Sequence, residues 1–132
     1  MDIMQEESPD IICLQETKAF FHQCPPELKM GEWQHMCWHA GQRPGYAGTA
    51  VLAKENFVQQ CNEFDHSTKF YEDGRLTEVE LPGKILLING YFPNGGTRAD
   101  GTEMLSYKLA FYDELSEYIL AKRKEGFEII LT

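Results

Sequence analysis

Short segments that are apolar at every position recur along this 132-residue sequence, and turn-forming residues bound them. The clearest is Ile85-Leu86-Leu87-Ile88, which follows Pro82-Gly83. An apolar run of about four to eight residues between turn signals is typical of a strand that is buried on both faces. We therefore expect this strand to lie inside a sheet whose two faces are both covered.

The remaining pattern predicts an α/β protein with several strands and one long helix. Strands are predicted over residues 11–14, 33–40, 49–53, 56–61, 75–81, 84–91 and 127–132. Pro82-Gly83 predicts a two-residue hairpin connection between the fifth and sixth of these. One face of the helix is predicted from apolar residues at helical spacing, with Thr102 as the N-cap: Leu105, Leu109, Tyr112, Leu115 and Ile119.

The two ends of the sequence have unusual features for a complete domain. Residues 1–8 resemble the last turns of a helix, and the final residues form an apolar strand with no cap or tail after it. We expect residues 1–132 to form a single incomplete domain that is truncated at both ends.

Composition limits the partners and the compartment. The chain has 12 basic and 21 acidic residues, a net charge of −9, which is unusual for a general nucleic-acid binder. Net charge concerns solubility and steering more than the chemistry of one cleft, however. No apolar run approaches the ~18 residues of a membrane span, so no membrane partner is expected. The cysteines (Cys13, Cys24, Cys37 and Cys61) form no CxxC pair and suggest reduced thiols in a cytoplasmic protein.

Glu16 is the first candidate for chemistry, because it follows a predicted buried strand with Gln15, Thr17 and Lys18 as its neighbours. Functional groups of α/β sheets are often presented at the ends of strands. A lone carboxylate can hold Mg²⁺, which uses only one or two protein carboxylates and completes its octahedron with water and substrate phosphate. The alternative interpretation is a surface acid paired with Lys18.

Tyr91 and Asn94 are the second candidates, on a loop that follows another buried strand and contains Gly95-Gly96. A phenol and an amide are suitable hydrogen-bond donors to phosphate oxygens. The sequence pattern alone favours an ordinary turn with an amphipathic aromatic residue over a functional site.

A zinc site is a weaker candidate. His35, Cys37 and His39 share one face of a predicted strand, and His22 or Cys24 could supply a fourth ligand. Their spacing matches no common zinc pattern, and a buried cysteine beside tryptophan is ordinary core.

Four ordered segments resemble the exodeoxyribonuclease III and class II AP endonuclease family, within the endonuclease/exonuclease/phosphatase superfamily. Residues 10–18 are similar to its "DI-x-CLQETK" segment, and residues 45–50 to its "GYSGVA" turn. Residues 73–76 resemble its "EGR" strand start, and residues 89–94 its "NGYFPN" loop. The resemblance covers essentially the whole chain and implies part of a four-layer α/β sandwich of the DNase I-like type, with a mixed, largely antiparallel sheet and flanking helices.

The resemblance also implies an activity and roles. Such enzymes hydrolyse a phosphodiester of double-stranded DNA with Mg²⁺ or Mn²⁺, at an abasic site or from a 3′ end, and the parent protein is expected to be a monomer. Glu16 would ligate the metal and Tyr91 would bind the scissile phosphate or orient the acidic network. Asn94, Arg75 and Tyr46 would contact the DNA backbone, and Lys18 would support Glu16.

Several family elements have no counterpart in the sequence, including the later "GD-x-N" segment and the terminal Ser-Asp-His. We therefore expect the isolated chain to be inactive. Two alternatives remain: a phosphoesterase of another superfamily branch, such as an inositol-phosphate or sphingomyelin phosphodiesterase, or a non-catalytic structural or binding piece.

Overall fold

The computed structural model describes residues 7–56, 59–61, 70 and 72–132, and of residues 59–61 the backbone only. Its strands are β1 Ile11–Gln15, β2 His35–His39, β3 Thr49–Ala53, β4 Gln59–Cys61, β5 Leu76–Leu81, β6 Ile85–Gly90 and β7 Glu128–Leu131. Its helices are the short α1, Pro26–Met30, and the long α2, Leu105–Lys124, and a 3-10 turn covers Phe21–Gln23. Most of the predicted helical end at residues 1–8 lies outside the described residues.

The strands form two sheets. One has the order β1-β3-β2 and is antiparallel throughout. The other has the order β4-β5-β6-β7, antiparallel except for the parallel pair of β6 with β7. The long helix between β6 and β7 provides the crossover that a parallel pair requires. The first sheet is called the β3 sheet below, and the second the β6 sheet.

Among the described residues, three apolar clusters hold four layers together. Val51 and Leu87 belong to the cluster between the two sheets. Ala50 and Leu52, the neighbours of Val51 along β3, face the other way and pack with Leu28 of α1. Because side chains alternate along a strand, one apolar run serves both faces of its sheet. This arrangement confirms the predicted fold class, a mixed and largely antiparallel α/β sandwich with flanking helices.

The burial of β6 confirms the prediction made from its apolar run. Leu87 points towards the β3 sheet, and Leu86 and Ile88 pack beneath α2; all three are buried. β1 is only half-buried, so the expectation of a buried strand at residues 11–14 is met only in part. β7 is largely exposed.

The structure corrects the predicted hairpin connection. Leu81 pairs with Ile85, so the connection has three residues, Pro82, Gly83 and Lys84. Gly83 and Lys84 both adopt positive φ angles, 85° and 61°, which the turn needs to reverse the chain.

The structure also corrects the N-terminal cap and the buried face of α2. Met104 is the N-cap residue, two positions after the predicted Thr102. The predicted stripe is confirmed in part: Leu115 is buried and Ile119 packs against the same core cluster, whereas Leu105 and Leu109 are each 54% exposed. Phe111, which is not in the stripe, is the other buried residue of the helix, so the face that packs on the sheet is rotated from the predicted one. No helix among the described residues is long and apolar enough to cross a membrane.

Candidate active site

The register of the two sheets brings the predicted motifs to one edge of the sandwich. Gln15 and His39 both lie opposite Thr49 in the β3 sheet, and Leu76 lies opposite Gly90 in the β6 sheet. The ends of β1 and β6 therefore reach the same edge, and the next residues along the chain are Glu16 and Tyr91.

Polar contacts join the two sheets at this edge. The hydroxyls of Thr49 and Thr77 lie 2.7 Å apart, and both side chains are buried. His39 Nδ1 lies 2.7 Å from the Leu76 carbonyl oxygen, so this nitrogen carries the proton, because a carbonyl only accepts. These contacts fix how the sheets sit together next to Glu16 and Tyr91.

Asn89, fully buried in β6, forms hydrogen bonds across to the β3 sheet. Its Nδ2 donates to the carbonyl oxygens of Leu14 and Ala50, at 2.9 Å each. Its Oδ1 accepts from Gln15 Nε2 at 2.5 Å and from Thr132 Oγ1 at 3.3 Å. The strand that precedes Tyr91 is thereby tied to the strand that precedes Glu16.

The Tyr91 hydroxyl donates to Glu16 Oε1 at 2.8 Å, across 75 positions of sequence. Lys18 Nζ lies 3.2 Å from the same oxygen, and the side chains of Lys18 and Glu16 are about half exposed. The hydrogen bond from Tyr91, with that from Lys18, lowers the pKa of Glu16. Desolvation and the hydrogen bond to Glu16 raise the pKa of Tyr91. The pair therefore combines an ionised carboxylate with a neutral phenol donor.

The backbone around Glu16 is held in an uncommon conformation. Glu16 and Lys18 have φ angles of 58° and 52°, in the left-handed region that few residues other than glycine adopt. The Thr17 N–H donates to Gly48 O at 3.1 Å and the Lys18 N–H donates to Ala47 O at 2.8 Å. These bonds fasten the segment after β1 to the turn before β3.

Gly48 is required for this fastening. Its φ is +89°, and a Cβ added there would lie 2.3 Å from Thr17 Oγ1. A side chain at position 48 would push away the segment that carries Glu16. The motifs at residues 10–18 and 45–50, which are separate in the sequence, thus form one structural unit.

Arg75 lies behind the site, with 3% of its side chain exposed. Its Nε donates to Asp73 Oδ2 at 3.2 Å, its Nη1 to the Tyr91 carbonyl oxygen at 3.1 Å and its Nη2 to the Tyr46 hydroxyl at 2.6 Å. Tyr107 of α2 adds a fourth contact, at 3.3 Å from Nε. A guanidinium that is buried and satisfied in this way is placed to position the loops, and its burial does not favour the predicted direct contact with DNA.

Asn94 and Tyr46 lie on the two loops next to the site. Asn94 Oδ1 accepts from the Gly96 N–H at 2.9 Å, which closes the loop after Tyr91 and leaves the side-chain amide nitrogen as its donor. In the described part of the chain no hydrogen bond or ion pair joins Asn94 to Glu16, Tyr91 or Arg75. Tyr46 is half-buried and contacts Arg75 directly.

Of the residues that the sequence singled out, the hydrogen-bond network joins Glu16, Lys18, Tyr91, Arg75 and Tyr46. Sequence reasoning missed the residues that support them. Asn89 had a signal, since it is an amide directly after the apolar run of β6. Asp73 belongs to the motif at residues 73–76, but its 2.6 Å hydrogen bond with Tyr107 had no signal, because only the fold brings α2 to the turn before β5.

The donor set at this edge limits which metal ion could bind. Within the described ranges, no group of three or more His, Cys, Asp or Glu side chains could hold one, and this includes the His35, Cys37 and His39 face. Glu16 is a single exposed carboxylate, and both of its partners contact Oε1. One carboxylate with open surroundings fits Mg²⁺ or Mn²⁺ that keeps most of its water ligands.

Residues 1–132, the whole chain, match the sequence profile of the endonuclease/exonuclease/phosphatase family. The chain belongs to this family. Exodeoxyribonuclease III of Haemophilus influenzae is 30% identical to it over 132 residues, which cover 98% of this chain and 48% of that protein. The DNA repair nuclease APEX1 of Danio rerio is 29% identical over 124 residues, or 90% of this chain and 37% of that protein.

A solved structure supports the same family fold. An AP endonuclease from Archaeoglobus fulgidus superposes with a TM-score of 0.69 at 27% identity, and covers 88% of this chain and 42% of that one. The chain thus shares the DNase I-like fold of that nuclease. It spans less than half the length of each of the curated relatives named above.

Proposed function

We propose that this chain forms part of a metal-dependent phosphodiesterase that acts on double-stranded DNA in base-excision repair, at abasic sites or 3′ ends. The observation that carries the proposal is the 2.8 Å hydrogen bond from Tyr91 to Glu16. It joins two loops at the strand ends of facing sheets. The names of the relatives, a DNA repair nuclease and an exodeoxyribonuclease, support DNA as the substrate.

Glu16 would hold the metal ion, Mg²⁺ or Mn²⁺. When bound, the ion supplies Lewis-acid polarisation of a phosphoryl oxygen and stabilises negative charge. The chain supports this role by keeping Glu16 ionised, because Tyr91 and Lys18 lower its pKa. The fixed backbone of residues 16–18, bonded to Ala47 and Gly48, holds the carboxylate in place before substrate arrives.

Tyr91 would donate a hydrogen bond to the scissile phosphate or keep Glu16 oriented, and its raised pKa keeps it a donor at neutral pH. Lys18 would add a positive charge beside Glu16, in addition to that of the metal ion. Asn94 and Tyr46 are proposed to contact the DNA backbone through the amide nitrogen and the phenol hydroxyl. Arg75 is proposed as a positioning residue, because it contacts the loops of Tyr46 and Tyr91 from behind.

The protein is proposed to act in the cytoplasm as a monomer. Free thiols at Cys13 and Cys24 support a reducing compartment.

Activity is best tested in a chimaera in which residues 1–132 replace the matching segment of the H. influenzae exodeoxyribonuclease III. We expect Mg²⁺-dependent cleavage of an abasic-site duplex. Glu16→Gln should lower kcat at least ~100-fold at micromolar Mg²⁺, with partial rescue at high metal concentration. Tyr91→Phe should lower it about 10–100-fold, because one charge-stabilising donor is lost.

The matched control is Glu103→Gln, which removes an exposed carboxylate that bonds Thr97 and not the site. Unchanged metal dependence in Glu16→Gln would remove Glu16 from the proposed centre. Cleavage of inositol phosphates or sphingomyelin in preference to DNA would move the activity to another branch of the superfamily.

A further inference from the structure

A cavity opens at the edge of the sandwich that lies opposite the candidate active site. Its volume is about 140 Å³. Its apolar walls come from both sheets, from Ile11 of β1 and Ala53 of β3 on one side and from Leu81 of β5 on the other. Ile11 lies opposite Ala53 at one end of β1, and Gln15, next to the candidate active site, lies about 13 Å away at the other end. The cavity is therefore separate from the site described above.

The cavity is the unfilled end of the core between the two sheets. The buried members of that core are Cys37, Val51, Val79 and Leu87. Ile11 and Leu81 pack against them, and Ala53 faces the same way as Val51 because side chains alternate along a strand. Ala53 supplies only a methyl group, where a larger side chain would close the gap between the sheets. An apolar cavity of about 150 Å³ stays dry and takes up benzene, so this one suits a small apolar group.

Two carboxylates border the cavity. Asp10 and Glu55 line it, both residues are exposed, and neither forms an ion pair with any residue that the structure describes. Lys54, the residue before Glu55, is paired elsewhere, because its Nζ lies 3.3 Å from Glu32 Oε2. The Lys54 N–H donates to Asp10 O at 3.1 Å, which fixes the end of β3 against the start of β1. The mouth of the cavity therefore combines a fixed wall with negative charge that the described residues do not neutralise.

We propose that this Ala53 cavity, as we name it, binds a small organic cation with an apolar body. The body lies between Ile11, Ala53 and Leu81, and the ammonium group lies at the mouth beside Asp10 and Glu55. An ammonium group donates charge-assisted hydrogen bonds to carboxylates, whereas the same carboxylates repel an organic anion of equal shape. The ligand class is thus an amine with a ring or branched chain of about six carbons. The site serves a ligand other than nucleic acid and does not depend on the proposed function.

The test titrates the ¹⁵N-labelled 132-residue chain with benzylammonium chloride at neutral pH and follows the amide NMR shifts. We expect saturable shifts at residues 10–11, 53–55 and 81, with a Kd of about 1 mM, as is usual for a ligand of this size. Two other compounds are the matched controls. Benzoate has the same ring with the opposite charge and should bind about 10-fold more weakly. Methylammonium has the charge without the ring and should give no saturable shift.

Variants of the lining residues locate the ligand. Ala53→Leu fills the cavity and should weaken benzylammonium binding more than ~10-fold. The double variant Asp10→Asn with Glu55→Gln removes both carboxylates and should weaken binding about 5-fold, since exposed ion pairs contribute modestly. Glu80→Gln is the matched control, because Glu80 precedes Leu81 on β5 and its side chain lies on the other face of that sheet. It should change the affinity less than about twofold.

Asp10 and Glu55 are exposed, so the double variant should retain the fold even if Ala53→Leu does not, and thermal unfolding curves check both. Unchanged affinity in the double variant, or in a folded Ala53→Leu, would overturn the proposal. Benzoate that binds as tightly as benzylammonium would also overturn it. The same holds for shifts that centre on residues 15–18 and for the absence of any saturable shift.

Discussion

The hydrogen bond between Tyr91 and Glu16 needs an ionised carboxylate and a protonated phenol. The pKa of Glu16 lies below its ordinary value of 4.5, chiefly because Tyr91 donates to it and then because of Lys18. The ionised Glu16 carboxylate therefore stabilises the fold at pH values above 4.5, and this stabilisation is lost as the pH falls through the lower, folded-state pKa. The pKa of Tyr91 lies above 10.0, so its contribution is present below 10.0 and is lost as the pH rises through the folded-state pKa.

We predict that the pair remains intact between about pH 5 and pH 10. Carbon NMR shifts of the Glu16 carboxyl and the Tyr91 ring should be flat over that range. In Tyr91→Phe the pKa of Glu16 should rise towards its ordinary value, because the main cause of its lowering is gone. A Glu16 pKa that stays the same in this variant would show that Lys18 alone sets it.

Asn89 allows a sharper test of how the two sheets are held. Asn89→Asp replaces the amide donor to Leu14 O and Ala50 O with an oxygen that repels both. We expect a loss of about 2–4 kcal/mol at about pH 7, more than in Asn89→Leu, because a buried charge is left beside two carbonyls. Burial would raise the folded-state pKa of the introduced carboxyl group, so the variant should regain stability as the pH falls. Urea unfolding at about pH 5 and pH 7 measures this, and a pH-independent loss would contradict it.

At the scale of elements, the structure shows which sequence patterns were sufficient. The burial of β6 was predictable because its run of residues 85–88 is apolar on both faces, so both faces of the strand had to be covered. The buried face of α2 was predictable only in part, because apolar residues lie on two sides of the helix: Leu115 was predicted, and Phe111 was not. The choice is made by Phe70 and Phe92, whose rings pack edge-on against Phe111 at 5.2 and 5.7 Å, and which are distant from it in sequence.

This gives a prediction for α2. Phe111→Ala should cost about 3–5 kcal/mol of unfolding free energy, since a fully buried ring is removed from the core beneath the helix. Leu109→Ala is the control on the predicted but exposed face, and should cost less than about 1 kcal/mol. Denaturant unfolding of the two variants decides between the faces. Equal costs would favour the stripe that the spacing predicted.

The same contrast holds for the candidate site. Glu16 and Tyr91 were found from sequence because each follows an apolar strand and belongs to a motif. The contact between Glu16 and Tyr91 depends on the pairing register of the strands in each sheet and on the packing of the two sheets. Together these place Gln15 and Gly90 at the same edge. The pairing of Asp73 with Tyr107 was missed because the tertiary fold alone brings together these two residues, which are 34 positions apart.

At the scale of the whole molecule, net charge and local charge point in different directions. The chain carries −9 overall, yet Lys18, Arg43 and Arg98 lie on the edge that holds Glu16. A site of this kind attracts an anion locally, with the remaining acidic surface opposing approach at low salt. The total charge is therefore a poor guide to the proposed substrate.

We predict that the purified 132-residue chain does not cleave an abasic-site duplex in Mg²⁺. Glu16 is ionised with a lowered pKa and Tyr91 stays protonated, so neither of these two groups is suited to take a proton from water near about pH 7. A gel assay for nicked duplex at micromolar protein checks this. Nicking by the wild-type chain that disappears in Glu16→Gln would contradict the prediction, because the cleavage would then come from this chain.

Glu16, held by Tyr91 and Lys18, is proposed above all as a divalent metal site. Paramagnetic broadening of amide NMR signals by substoichiometric Mn²⁺ tests this most directly on this chain. We predict that the signals of residues 15–18 and Tyr91 broaden first, that Glu16→Gln abolishes this, and that Glu103→Gln does not. Broadening that centres on another acidic surface, or that persists unchanged in Glu16→Gln, would contradict the proposed metal site.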